Sequence, residues 1–282
     1  MSRARSRERR LAALLRHALA LGAAAIFCLP LIWVAAFSLR PTGLPPPVRI
    51  EWLPAPAAWG NYARIFRIIP LGRYALNSLV VVALAVPITL VVASWAGFAM
   101  AQLGRRARRR LALLAILLLM VPFTALWVSR YIFFAALGLV DSLWALAAPA
   151  LMGTTPFFVL LFYWTFRRVP RGLFESAMLD GAGAFDVWAR VAMPLAWPTT
   201  TVVGVLSFSF YWSDFLSPLL FLKSDERLTL PMGIALLKEL GPTNWPLLMA
   251  GVLVMTLPVF ALFLLVQRYF WPEGRLSGFA GR

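Results

Sequence analysis

The chain has 282 residues, of which 61% are hydrophobic and only 13% are charged. A soluble domain carries about 45 to 50% apolar and about 25% charged residues, so an ordinary water-soluble protein is excluded. The 27 basic and 11 acidic residues give a net charge of +16, but the arginines lie between apolar blocks, which is typical of membrane topology and not of nucleic-acid binding. A single cysteine, Cys28, excludes an intrachain disulfide and a cysteine-based zinc site.

A basic segment, residues 1–16, precedes the first apolar block at 17–39. The apolar part of a cleaved signal peptide has only about 7 to 15 residues, and the residues before Cys28 make a poor lipoprotein signal. We therefore predict an uncleaved first span.

The next segment, 40–75, is rich in proline and cannot be helical throughout, because proline lacks an N–H donor and clashes with the preceding turn. From Trp59 to Tyr74, aromatic and aliphatic residues are mixed with arginines. This mixture favours an external segment that lies on the membrane surface, and a solvated loop is the alternative.

Five further apolar blocks contain no Lys or Arg and predict spans at 76–103, 111–129, 143–166, 195–216 and 246–267. Prolines inside them are compatible with membrane helices, since neighbouring helices can satisfy the freed backbone groups. We therefore predict an all-α integral membrane protein with six transmembrane helices.

The charges on the connecting segments predict the orientation. With the N-terminus inside, the segments on the inner side hold 18 of the 27 basic residues, including the tail at 268–282. The positive-inside rule then places both termini in the cytoplasm, the loop 167–194 inside and the loop 217–245 outside.

Several kinds of chemistry find no support in the sequence. The spans hold almost none of the paired ionisable groups of a secondary transporter, and no P-loop is present, so any ATP must be hydrolysed by another chain. His17 has no local carboxylate or serine partner, and Asp186 stands where a dinucleotide loop beginning at Gly181 would need its third glycine. We predict no enzymatic activity, no catalytic residue and no metal site.

The loop 167–194 has the pattern of an amphipathic helix, a turn and a second amphipathic piece. Residues Arg171 to Leu179 can form a short helix, with Glu175 early in it, where a negative charge suits the helix dipole. Gly181 allows a left-handed turn after Asp180. Such a unit suits docking into a protein groove, and a loop that lies on lipid headgroups is the alternative.

The spacing of this loop resembles a known family. Glu175-x-Ala177, Gly181 and Val191-x-Met193-Pro194 are similar to the EAA loop of permease subunits of binding-protein-dependent ABC importers, with Ser176 in place of the usual alanine. Other segments look like the carbohydrate-uptake branch, of the maltose or glycerol-phosphate type: Asn77 to Leu79, Trp212 to Leu219, Thr229 to Gly233 and Gln267 to Phe270. The matches cover residues 59–270 in the family's order.

The resemblance implies an ABC importer permease fold with a cytoplasmic coupling helix, in the inner membrane of a bacterium or archaeon. It implies a second permease subunit, two copies of an ATP-binding subunit that carry ATP and Mg²⁺, a solute-binding protein outside, and a sugar-type substrate. No cofactor is expected in this chain. By position, the role of coupling to the ATPase falls on Leu173, Glu175, Ala177, Met178, Asp180, Gly181, Phe185 and Pro194.

The fifth predicted span contains a candidate substrate face. Ser207, Tyr211 and Asp214 fall on one stripe at helical spacing, with Trp212 beside them. Hydroxyl and carboxylate groups can bond sugar hydroxyls, and aromatic rings can cover the C–H face of a sugar. The alternative is that the aromatic residues anchor the interface while Asp214 marks the outer boundary or contacts the partner subunit.

The outer segment from Lys223 to Trp245, with balanced charges, is a plausible landing surface for a binding protein or a plain connecting loop. Two other functions are alternatives for such a chain. An integral membrane enzyme of lipid or glycan metabolism would need a convergent cluster of acid, base or metal ligands. A channel would need a ring of filter residues. The sequence does not identify the sugar, and an anionic polyol fits the same branch.

Overall fold

The computed structural model describes residues 2–45, 47, 51–52 and 54–270, with only the backbone for 2–13 and 268–270. Arg275 and Arg282 of the predicted cytoplasmic tail lie outside the described residues. The described residues form helices and contain no strand, which confirms the all-α prediction. In chain order the α-helices are α1 (Ser2–Ser38), α2 (Gly60–Ile68), α3 (Leu71–Gln102), α4 (Arg105–Leu119), α5 (Trp127–Ala136), α6 (Leu143–Ala147), α7 (Pro156–Arg168), α8 (Arg171–Leu179), α9 (Ala184–Asp186), α10 (Met193–Leu195), α11 (Trp197–Trp212), α12 (Leu216–Phe221), α13 (Leu230–Leu236) and α14 (Trp245–Phe270).

Helical stretches long and apolar enough to cross a membrane overlap the predicted spans. Four qualify singly: Leu14–Ser38, Leu71–Gln102, Leu143–Arg168 and Pro242–Gln267. Two bent pairs, Arg105–Leu119 with Phe123–Ala136 and Ala184–Leu195 with Trp197–Trp212, bring the number to six if each pair is one span. The helices of the first, second and sixth spans begin before the predicted bounds, at Ser2, Leu71 and Trp245.

The chain divides into two compact units. The first comprises the described parts of Met1–Pro70 together with Ile234–Met255. Within it, the side chain of Asn61 donates hydrogen bonds of 2.7 and 2.8 Å to the backbone carbonyls of Ser38 and Arg40, at the end of α1. The amide therefore caps α1 and ties α2 to it, because the last carbonyls of a helix lack partners within the helix. Helix α2 buries Ile65 and exposes Phe66, and the residue that precedes it, Trp59, is exposed as well.

The second unit comprises Leu71–Gly233 and the described part of Thr256–Arg282. Its core lies between α3, α7 and α11, where aromatic side chains such as Phe98, Phe162 and Phe166 are buried. Helices α3 and α7 cross closely at Gly97. A Cβ atom there would lie 2.7 Å from the Cβ of Phe162 and 2.7 Å from the backbone nitrogen of Tyr163, so only glycine permits this approach.

The predicted third span, 111–129, is wrong as a single helix. Helix α4 ends at Leu119, and a bend of 87° separates it from the helical residues Phe123–Ala136. Pro122 lies at the bend, with extended backbone. Proline provides no N–H donor and disfavours the helical conformation of the residue before it, so the chain turns at this point.

The fourth and fifth spans are also interrupted. The predicted span 143–166 contains α6, a 3₁₀ turn over Ala148–Met152 and α7, with left-handed backbone at Gly153 and Thr154 between the last two. The predicted span 195–216 ends earlier than expected, since α11 stops at Trp212. The Oδ1 atom of Asp214 accepts backbone hydrogen bonds of 3.1 Å from Leu216 and Ser217, which starts α12.

Candidate coupling site

The segment 167–194 folds as a helix, a tight turn and a second helical piece. Helix α8 has the predicted bounds, Arg171–Leu179, and Asp180 is its C-cap residue. Gly181 follows with a φ of +88°, and its N–H donates to the carbonyl oxygen of Met178 at 3.1 Å. A Cβ atom at Gly181 would meet nothing within 4 Å. Backbone conformation and not space therefore requires glycine here, because residues with a Cβ avoid this region of φ.

The second piece reaches the fifth span through a sharp bend. Helix α9 continues into a π-helical turn over Val187–Ala192, and α10 follows, with Pro194 exposed within it. The axis then bends by 84° between Ala184–Leu195 and α11. Asp186 and Arg190 form an exposed ion pair at 3.3 Å, which contributes little because solvent screens it.

Several apolar side chains of this segment are exposed. The exposed fractions are 46% for Leu173, 51% for Met178 and 61% for Phe185, three residues assigned by position to contact with the ATPase. Glu175 and Asp180 are exposed on the same segment, while Ala177 is half-buried. Leu179, which the sequence reasoning did not select, is 88% exposed. Exposed apolar side chains beside carboxylates suit docking of another protein.

The same segment also carries buried aromatic residues. Phe174, which the sequence reasoning missed, is only 2% exposed. Its ring meets the ring of Phe98 edge to face, with centroids 5.5 Å apart. In the second piece the ring of Trp188, also buried, lies 4.9 Å from that of Trp95. Phe174 precedes Ala177 by three positions, so helical periodicity could have placed it on the inward side.

The predicted substrate stripe does not persist along one helix. Asp214 lies beyond the end of α11, so it is not in helical register with Ser207 and Tyr211, and the predicted i+7 placement is wrong. Ser207, Tyr211 and Trp212 are buried within the chain, and only Asp214 is half-buried.

The hydroxyl of Tyr211 belongs to a hydrogen-bonded chain of three side chains. It lies 2.7 Å from Oγ1 of Thr154, which lies 2.5 Å from Oγ1 of Thr89. The three groups come from α11, from the break before α7 and from α3. The network thus satisfies polar groups that would otherwise be unpaired in the core, and it joins three spans.

The first residues of the predicted landing surface, Lys223 to Arg227, contact a second polar group, the carboxylate of Asp141, which precedes α6. The carboxylate accepts hydrogen bonds from the hydroxyl of Ser224 and from the backbone N–H groups of Lys223 and Ser224, the latter two at 3.0 Å. The guanidinium of Arg227 lies 3.3 Å from Oδ2. Hydrogen bonding, first from the Ser224 hydroxyl and then from the two backbone groups, lowers the pKa of Asp141 to about 2.

Among the residues that the structure describes, no group of three or more His, Cys, Asp or Glu side chains is placed to hold a metal ion.

Comparison with known proteins gives the same family throughout. Residues 90–273 match the binding-protein-dependent transport system inner membrane component family. The chain is 30% identical over 238 residues, 84% of each protein, to the sulfoquinovosyl glycerol transport system permease protein SmoH of Agrobacterium fabrum. It is 30% identical over 251 residues, 87% of this chain and 89% of the relative, to the trehalose/maltose transport system permease protein MalG of Thermococcus litoralis.

Solved structures agree in fold. A chain from the crystal structure of a bacterial ABC transporter involved in the import of the acidic polysaccharide alginate superposes with a TM-score of 0.74, over 93% of this chain and 97% of that one. Sequence identity is 18%, so this likeness concerns the fold alone. The matches confirm the family that the coupling motif predicted. The chain belongs to the binding-protein-dependent transport system inner membrane components, as a multi-pass permease subunit of an ABC importer.

Proposed function

We propose that this chain forms, with a second permease subunit, the translocation path for a sugar or related polyol. Two copies of an ATP-binding subunit, which carry ATP and Mg²⁺, drive the path, and an extracytoplasmic binding protein delivers the solute. The relatives named for transport of sulfoquinovosyl glycerol and of trehalose or maltose support this substrate class. Both termini are cytoplasmic, and the chain itself carries no catalytic site.

The proposal depends most on the exposed residues of 167–194, which we call the coupling segment. Its exposed apolar residues Leu173, Met178 and Phe185 flank the Gly181 turn in sequence, and the carboxylates of Glu175 and Asp180 are exposed on the same segment. An apolar patch of this kind in a cytoplasmic loop fits the surface groove of another protein. Pro194 begins the return to the membrane, ahead of the bend into α11.

The energetic requirement on this segment is simple. A partner shifts a conformational equilibrium only by the difference between its affinities for the two states. The ATP-binding subunits must therefore present different surfaces to the segment before and after they close on ATP. The segment then transfers that difference to the spans, which alternate between inward and outward access.

We propose that the substrate passes beside α11 and the turn after it, near Ser207, Tyr211, Trp212 and Asp214. The first three are buried against neighbouring spans in this conformation. Contact with substrate therefore requires α11 to move away from α3 and from the break before α7, which opens the Tyr211 hydroxyl network. A change in access can supply this movement, and Asp214, half-buried beyond α11, is the residue most open to solute.

Purification of the chain from its native membrane tests the proposal. We expect an ATP-binding subunit and a second permease to co-purify, and mass spectrometry of the cognate binding protein to identify a bound sugar or polyol. Glu175→Lys and Gly181→Leu should leave the chain in the membrane but abolish ATP-driven uptake of that solute in proteoliposomes. A chain that moves solute without an ATP-binding subunit, or normal uptake by both variants, contradicts the proposal.

A further inference from the structure

Both halves of the coupling segment rest on the inner end of α3. From the first half, Phe174 contacts Phe98 through an edge-to-face ring pair, 5.5 Å between centroids at 86°. From the second half, Trp188 lies 4.9 Å and Phe185 5.7 Å from Trp95. Trp95 and Phe98 are three positions apart on α3, so they lie on one side of that helix. Ring contacts from both halves of the segment therefore converge on α3.

The ring contacts continue from α3 into α7. Phe98 meets Phe166 edge to face at 5.6 Å, and Phe166 stacks on Phe162 at 6.0 Å. On the same stretch of α3, Gly97 brings the backbones of the two helices together. Close-packed interiors transmit displacement because they deform little, so α3 and α7 behave here as one body.

The backbone links at the two ends of α8, the coupling helix, are not helical, so they transmit a displacement less directly than this packing. Upstream, Val169 and Pro170 have extended backbone, so α8 is not a continuation of α7. Downstream, the left-handed Gly181 ends α8, and a bend of 84° precedes α11. Neither link is a continuous helix that could push or pull a span directly. Movement of α8 must therefore pass through its buried side chains.

We propose that Phe174 is the positioning residue that passes the movement of the coupling helix to α3 through Phe98, so that α3 and α7 follow the ATP-binding subunit as one body. This role rests on the proposed function, because it presupposes an ATPase docked on the exposed side of α8. Phe174 suits it because its ring is fully enclosed, whereas Leu173 and Met178 point outward for docking.

A distance measurement in the intact transporter tests this role without knowledge of the transported solute. In a Cys28→Ala background, nitroxide labels are attached at Gly172→Cys on α8 and at Leu103→Cys beyond the end of α3, both exposed positions. The distance between the labels is measured by pulsed electron paramagnetic resonance, first without nucleotide and then after trapping with MgATP and orthovanadate.

With phenylalanine at position 174, we expect the same mean distance in both nucleotide states, since α8 and α3 move together. In Phe174→Ala, the mean distance should change by about 2 Å on trapping, the scale of helix shifts in switching proteins, because α8 follows the ATPase and α3 lags. Phe157→Ala, which removes a partly exposed ring elsewhere on α7, is the matched control and should leave the distance constant.

An unchanged mean distance in Phe174→Ala, with vanadate trapping intact, overturns the role. A distance distribution that is broader than with phenylalanine, but equally broad in both nucleotide states, overturns it too. If Phe174→Ala does not assemble, Phe98→Leu is used instead, because it removes the receiving ring and leaves the coupling segment unaltered. A change of about 2 Å in the mean distance on trapping then supports the role, and an unchanged distance overturns it. Failure of the proposed function is seen separately, since the unsubstituted complex would then contain no ATP-binding subunit and trap no vanadate.

Discussion

Two glycines of the coupling segment allow a matched test of its geometry. At Gly172 and at Gly181 an added Cβ atom would meet nothing within 4 Å, so packing is equal at the two positions. They differ in backbone: Gly172 lies in α8, whereas Gly181 has a φ of +88°. The left-handed conformation costs a residue with a Cβ roughly 1–2 kcal/mol, while alanine within a helix is favoured over glycine by roughly 0.5–1 kcal/mol.

The same substitution should therefore have opposite effects at the two positions. A cost of 1–2 kcal/mol lowers the equilibrium constant for forming the native turn by a factor of roughly 5–30. Apparent affinity falls with the fraction of molecules that are competent to bind, so Gly181→Ala should weaken docking of the ATP-binding subunit by up to this factor, which is reached when the free turn is only marginally stable. Gly172→Ala should leave docking unchanged or slightly stronger.

The assay is titration of the purified ATP-binding subunit against the permease pair in lipid nanodiscs, together with the ratio of solute taken up to ATP hydrolysed. Equal dissociation constants for Gly181→Ala and Gly172→Ala would refute the reasoning, because they would mean that the left-handed turn is not needed for docking. Weaker docking in both variants would point instead to direct contact at both glycines.

Three further predictions concern the second unit. Gly97→Ala should destabilise the subunit by about 1–3 kcal/mol through overpacking, seen as a lower thermal unfolding temperature, whereas Gly204→Ala, with open space around it, should not. Tyr211→Phe should cost about 1 kcal/mol in the same assay, because it breaks the buried hydroxyl chain. Asp141→Asn should speed amide exchange at Ser224, since the charged acceptor is lost. With Asp141 intact, the lowered pKa means that this protection is complete above pH 3.8 and is lost as the pH falls through about 2.

Much of the architecture followed from the sequence because the bilayer imposes strong local rules. Apolar length predicted the spans, and arginine placement gave the orientation that the proposed function adopts. The bounds of α8 and the turn at Gly181 followed from local signals, namely helical periodicity and glycine after an acidic residue. These features depend on residues close together in the chain, which a single sequence displays.

Only the tertiary structure decided what the buried side chains do. Hydropathy does not reveal where a span bends, so the break near Pro122 and the end of α11 at Trp212 were missed. Helical periodicity groups Phe174 with Ala177, but only the position of α3 shows that this face of α8 buries Phe174 while Leu173 stays exposed. Tyr211 likewise has a side chain of the kind that binds sugars. Its hydroxyl instead bonds Thr154, which lies far away in sequence. Such contacts join distant segments, and a linear pattern does not encode which segments meet.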